Sequence, residues 1–153
     1  MRRPVVIAAL VLLLLAAVGV AVSRFSLTAL EEPGSTETYL ATQAKRLFVA
    51  RASRRGVPPA PASTPASVSA GGKLYGAECG MCHGLSGKTP TDAGRWMYPR
   101  AADLASPPVQ QYSDPELFWI VKNGIRLSGM PAFGKVESDE HIWQLVHYVR
   151  TLK

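Results

Sequence analysis

Cys79-Gly80-Met81-Cys82-His83 is the stretch on which the reading of this chain turns. Two cysteines three positions apart lie on one face of a helical turn. CxxCH is the attachment signature for haem c. Each thiol can form a thioether to one of the two vinyl groups along a haem edge. The adjoining His83 is then swung under the ring, where its imidazole can bind iron as the proximal ligand. Gly80 leaves room for a close approach. A thioredoxin-like dithiol would use the same CxxC, but it needs a βαβ context that the sequence lacks. A zinc site would need a second ligand pair, and only His141 and His147 remain elsewhere. Those two read better as exposed or half-buried residues of a last helix. The motif predicts one covalent haem c, attached through Cys79 and Cys82.

A six-coordinate iron needs a second axial ligand. The candidates are Met130, Met97, His141, His147 and Met81. Met81 lies inside the attachment turn and cannot reach the other face of a ring. Met97, in RWMYP, follows His83 by 14 residues and is equally well explained by packing. Met130 follows His83 by 47 residues, in Leu127-Ser128-Gly129-Met130-Pro131-Ala132-Phe133-Gly134. Gly129 and Pro131 fix that loop so that one thioether can point at the iron, and Phe133 can cover the ring. A thioether is a soft ligand that favours Fe(II) and raises the potential.

Working outward, residues 68–153 have the composition of a compact domain. Ser69–Cys79 leads into the motif as a short helix. Residues 84–112 are rich in Gly, Pro, Asp and Ser and read mostly as loop. Ser113-Asp114-Pro115-Glu116 is a helix start, with a capping residue, Pro in the first turn and an early acid. Gly124 is a suitable stop for that helix. Residues 125–137 form a loop. Ser138-Asp139-Glu140 caps a final helix, HIWQLVHYVRTLK, in which Ile142, Leu145, Val146, Val149 and Leu152 share a face. Arg150 and Lys153 suit its C-terminal end. The domain is expected to be all-α, with three to five short helices. So small a domain struggles to bury a sufficient core, and a covalent haem would supply one.

Upstream, residues 1–23 carry Arg2, Arg3 and the uncharged run Val5–Val22, VVIAALVLLLLAAVGVAV. As a helix this run would span about 27 Å, against a hydrocarbon core of about 30 Å. A single-pass anchor would put the N-terminus in the cytoplasm and everything after Val22 outside. The alternative is a signal peptide cleaved after Ala21-Val22-Ser23. The run is longer than the usual apolar region of such peptides, which favours the anchor. Either way the rest of the chain is exported. Within residues 24–55, Glu37–Arg55 has helical periodicity, with Tyr39, Leu40, Gln43, Ala44, Leu47 and Phe48 on one stripe. Lys45, Arg46, Arg51, Arg54 and Arg55 crowd its later half. Two readings stay open: a helix lying on anionic headgroups, or a stalk helix whose apolar stripe docks on the domain. The tract GVPPAPASTPASVSA begins at Gly56 and marks the domain boundary. It reads as an extended, semi-rigid linker over residues 56–67.

Charge is unevenly spread. Residues 1–66 hold eight Lys/Arg against three acids, and residues 67–153 hold nine against eight. The basic excess belongs to the N-terminal half, and the near-neutral domain excludes a nucleic-acid binder.

CGMCHG followed by GMPAFG resembles the class I cytochrome c family. Residues 72–153 also resemble the monohaem domains of cbb3-oxidase subunits and of membrane-bound dehydrogenase cytochromes. The stretches MYPRAADL, YSDPELFWIVKNGIRLSGMPAFG and WQLVHYVRTL have counterparts there. The resemblance implies a small class I cytochrome c fold, preceded here by a transmembrane helix and a linker. It implies His83 and Met130 as axial ligands and Cys79 and Cys82 as covalent attachments. It implies that the first and last domain helices cross, with Gly72, Gly76 and Tyr75 facing Val146, Tyr148 and Val149. A proline carbonyl would accept the histidine's second N–H, and Pro99 matches that position. Trp96, Tyr98, Arg100 and Trp143 are candidate propionate partners, each equally well read as ordinary packing or surface residues. The expected role is a periplasmic one-electron carrier in a respiratory chain. Its redox partners would be a dehydrogenase or quinol-oxidising complex and a terminal oxidase. The alternatives are a cytochrome subunit fixed in a larger complex, and a haem sensor or peroxidase-like enzyme opened by loss of Met130.

Overall fold

Helix ends follow local side-chain chemistry. The computed structural model describes residues 2–24, 26 and 28–153, and no strand occurs among them. Helix α1 spans Arg2–Arg24 and α2 spans Ser35–Ala52. Then follow α3 (Pro65–Glu78), α4 (Gly80–His83), α5 (Asp92–Arg95) and α6 (Pro107–Gln110). The chain closes with α7 (Asp114–Asn123), a 3-10 turn at Phe133–Lys135 and α8 (Asp139–Val149).

Helix α7 begins where its capping residues predict. The backbone N–H of Ser113 donates to the Glu116 carboxylate at 2.7 Å, and its hydroxyl donates to the same oxygen at 2.8 Å. At α8, Ser138 accepts the His141 N–H at 3.2 Å. Two boundaries differ from expectation. Helix α3 starts at Pro65, inside the Pro/Ala tract, because Thr64 and Ser67 close a reciprocal cap. Thr64 Oγ1 accepts the Ser67 N–H at 3.1 Å, and Ser67 Oγ accepts the Thr64 N–H at 3.0 Å. Helix α8 stops at Val149 and does not run to Lys153. Arg150 turns away to bridge the α6–α7 junction. It donates to Asp114 Oδ1 at 2.7 Å, to the Gln110 carbonyl at 2.8 Å and to the Tyr112 carbonyl.

Helices α3 and α8 make the main crossing. A Cβ at Gly71 would lie 1.9 Å from the Gln144 carbonyl oxygen, and one at Gly72 would lie 3.1 Å from the Tyr148 ring. Tyr75 packs on Tyr148 with centroids 5.1 Å apart. Gly76 has nothing within 4 Å and stands outside the crossing, so Gly71 takes the place expected for it. Gly72 and Tyr75 face Tyr148 as the resemblance implies, and the closest approach lies at Gly71, one residue before Gly72. Tyr75, Phe118, Ile142, Leu145 and Val146 are fully buried around this crossing.

Helix α2 docks on the domain, against α7. Val49 enters the same core, and Arg46 donates to the Pro108 carbonyl and to Gln111 Oε1, both at 3.2 Å. The docked face is therefore not the expected apolar stripe. The domain offers carbonyls and the Tyr112 ring there, partners that suit a guanidinium better than a leucine. Among the described residues, one helix is long and apolar enough to cross a membrane. It runs over Arg3–Arg24, and none of it is buried in the protein.

The crossing yields a paired prediction. Gly71→Ala forces a Cβ into a backbone carbonyl and should destabilise the protein by about 1–3 kcal/mol or more. Gly76→Ala, exposed in a helix interior, should stabilise it by about 0.5–1 kcal/mol. Denaturant unfolding of the two variants measures both.

Candidate haem site

The attachment turn is braced from three sides. Cys79 ends α3 and begins α4, and its carbonyl accepts N–H groups from Cys82 at 3.1 Å and His83 at 2.9 Å. The buried Tyr75 hydroxyl donates to the Gly84 carbonyl at 2.7 Å. Gly84 has φ +73°, and a Cβ there would lie 2.2 Å from the Thr89 carbonyl oxygen. From below, the Thr91 N–H donates to the Cys82 carbonyl at 3.1 Å. A Cβ on Gly94 would lie 2.1 Å from that same carbonyl oxygen. The close approach made by Gly80 is to Leu85, whose Cδ2 would lie 3.0 Å from an added Cβ.

Beside this turn lies a cavity of about 330 Å³. Cys79, Cys82, His83, Met130 and Pro99 all line it. Val121, Ile125, Leu145 and Val146 supply apolar wall from α7, the loop after it and α8, and Phe133 lies among the other lining residues. The proximal hydrogen bond differs from expectation. His83 Nδ1–H donates to the carbonyl of Ala102 at 2.8 Å, not to that of Pro99. The chain reaches the imidazole three residues later than the resemblance implies, and Pro99 contributes wall at a cis Tyr98–Pro99 bond. With Nδ1 occupied, Nε2 is the nitrogen left for a metal.

Met130 sits in a tightly folded loop. The Ile125 N–H donates to the Met130 carbonyl at 3.3 Å, and Ser128 Oγ accepts the Met130 N–H at 3.2 Å. Gly124, with φ +67°, lets the loop close, since a Cβ there would lie 2.7 Å from the Met130 and Pro131 carbonyls. Met97 also lines the cavity and packs on Gly129, where a Cβ would lie 2.5 Å from its sulfur. Met81 is exposed at the rim. Neither remaining histidine lines the cavity. His141 is exposed, its Nδ1 2.6 Å from Glu137 Oε2. His147 is buried, more deeply than its position suggests, with Nδ1 2.9 Å from Ser67 Oγ.

Of the four candidate propionate partners, only Arg100 lines the cavity, and it pairs with Glu32 at 2.5 Å. Trp96 is 77% exposed. Tyr98 donates to Glu37 at 2.6 Å. Trp143 is buried against Phe118, with ring centroids 4.5 Å apart. Two participants escaped the sequence reading. The Ala102 carbonyl carries no side-chain signal. Lys45 lines the cavity from α2, far upstream, with its pKa lowered by burial and then by Arg46.

The residues fit haem c. Burial pushes the Cys79 thiol up to about 12, with Glu78 and Cys82 adding to the effect. A redox dithiol needs the opposite, a thiolate near neutral pH. No group of three His, Cys, Asp or Glu that could hold a metal ion occurs among the described residues. What remains is an apolar slot with two thiols, an oriented imidazole and thioethers on its walls.

Comparison with known proteins agrees. Residues 66–149 match the family described as cytochrome C oxidase, cbb3-type, subunit III. No curated protein matches the chain. Among solved structures, a chain of the Kuenenia stuttgartiensis reducing HAO-like protein complex Kustc0457/Kustc0458 is similar, with a TM-score of 0.59 and 26% identity. The match covers 63% of this chain and 48% of that one, so this chain spans about half the length of that relative.

The brace on the attachment turn predicts a stability effect. Tyr75→Phe removes one of the two hydrogen bonds to the buried Gly84 carbonyl, the Gly87 N–H at 3.1 Å remaining, and should cost about 0.5–1.5 kcal/mol in denaturant unfolding of the haem-loaded protein.

Proposed function

This chain belongs to the family of cytochrome C oxidase, cbb3-type, subunit III, and we propose that it is a membrane-tethered one-electron carrier with His83 and Met130 as axial ligands. It is a class I c-type cytochrome with a single attachment motif. The observation that carries the proposal is the joining of Cys79, Cys82, His83 and Met130 on the walls of one apolar cavity. When bound, haem c supplies a one-electron Fe(III)/Fe(II) couple.

The chain's own residues do the rest. Cys79 and Cys82 hold the group covalently. Ala102 fixes the rotation of the His83 ring through Nδ1–H. The loop from Gly124 to Pro131 presents the Met130 thioether and keeps it in place through both oxidation states. The aliphatic wall excludes water, which limits rearrangement when charge changes. With His83 and Met130 both holding the iron, no site would be open to a substrate, so the reading is of a carrier and not of a catalyst. Helix α1 would hold the domain on the periplasmic side of a bacterial cytoplasmic membrane, with Arg2 and Arg3 in the cytoplasm. A dehydrogenase or quinol-oxidising complex would donate electrons and a terminal oxidase would accept them. A tether raises the effective concentration at such membrane-bound partners. One observation favours a second reading, a subunit fixed in a larger assembly: the structural relative is itself a chain of a protein complex.

Carbon monoxide tests the ligation. The reduced wild-type protein should bind it weakly, and Met130→Ala should bind it readily. Met130→His should keep the ligand out while lowering the reduction potential. Strong binding by the wild-type protein would contradict the proposal and favour a sensor or peroxidase-like role.

A further inference from the structure

Helix α2 has two different faces, and the domain covers only one. Arg46, Val49 and Ser53 face the domain. Leu40, Ala44, Leu47 and Arg51 follow one another at helical spacing along the opposite side. Leu40 is 61% exposed, Leu47 68% and the adjacent Phe48 65%. Arg51 continues this side at its C-terminal end, and Arg54 and Arg55 follow just past the helix; all three are exposed, Arg54 at the rim of the cleft between α2 and Ser113–Glu116. In the connector before α2, Leu30 is 96% exposed. These large apolar side chains were free to dock on the domain, and the structure turns them outward.

Two observations identify what covers this face. The first is continuity with α1. Ten residues separate Arg24 from Ser35, a span of at most about 35 Å when fully extended. Helix α2 therefore cannot leave the neighbourhood of a bilayer that holds α1. The second is charge. Three arginines beside a leucine and phenylalanine stripe match an anionic headgroup layer over acyl chains. Glu37, at the opposite end of the helix, is engaged by the Tyr98 hydroxyl.

We propose that α2 lies in the membrane interface on its Leu40–Leu47–Phe48 face while its Arg46–Val49–Ser53 face grips the haem domain. The inference rests on the reading of α1 as a retained anchor. It changes what the tether does. The domain is not a freely swinging head but is clamped with the α2 side toward the lipid. Lys45, which lines the haem cavity from α2, places that wall of the cavity beside the interface. The Pro/Ala tract then serves as a strap from α2 to α3 along the domain.

Spin labels on the full-length, haem-loaded protein test this in bilayers of phosphatidylcholine and phosphatidylglycerol. Labels would be placed singly at Leu47→Cys, Val11→Cys and Lys88→Cys. Collision rates with oxygen and with a water-soluble nickel chelate then report depth. The oxygen-to-nickel ratio at 47 should exceed that at 88 several-fold, and replacing Arg51, Arg54 and Arg55 by Gln should reduce it. A lipid signature at 11 with an aqueous ratio at 47 would overturn the inference and leave the anchor standing. Aqueous ratios at both would overturn the anchor too. A label at 47 shielded from oxygen and nickel alike would mean that protein, such as a second copy, covers the face, and would also overturn it.

Discussion

One helical turn must offer two thiols and one imidazole to the same slot, and the rest of the domain is arranged around that demand. Five residues from Cys79 to His83 cannot hold such an arrangement alone, because a single isolated turn is unstable in water. The protein supplies the stability from outside. Helix α3 delivers the turn and pins its exit through Tyr75. The segment from Thr89 to Gly94 packs against its underside, in contact with the Cys82 carbonyl. The α3–α8 crossing fixes α3 in turn, with glycine at the position where backbones meet. Each layer restrains the one inside it, and the result is an imidazole set by a backbone carbonyl.

The part of the cavity wall that carries Met130 is built on another principle. Met130 is carried by a loop, and the loop is shaped by its own short-range bonds and by Gly124. Loop flexibility would be costly for the axial role proposed for Met130, and the Ser128 and Ile125 bonds limit it. Electron transfer is served by a site that changes little between oxidation states, which is what two independently braced walls can provide.

Much of this was legible in the residues because the signals were local. CxxCH, the Ser113 and Ser138 helix starts and the uncharged run after Arg3 each depend on a few adjacent side chains. The misses were of another kind. The start of α3 at Pro65 was present as Thr-Pro-x-Ser but was masked by the proline-rich composition around it. The partner of His83 is a backbone carbonyl, which any residue could supply, so only the path of the chain selects Ala102 over Pro99. That Gly71 and not Gly76 joins Gly72 and Tyr75 at the crossing depends on the packing of α8. The two faces of α2 could not be ranked without knowing what the domain surface offers. Arg46 found a carbonyl and an aromatic ring, and that settled which side docked.

The central claim is covalent haem on Cys79 and Cys82, and the intact mass of the denatured protein tests it most directly. The protein would be produced with a cytochrome maturation system and stripped of loosely bound cofactor before measurement. The account predicts the mass of the chain plus one haem, with no free thiol left to alkylate. A mass equal to the chain alone, with two alkylatable cysteines, would contradict it.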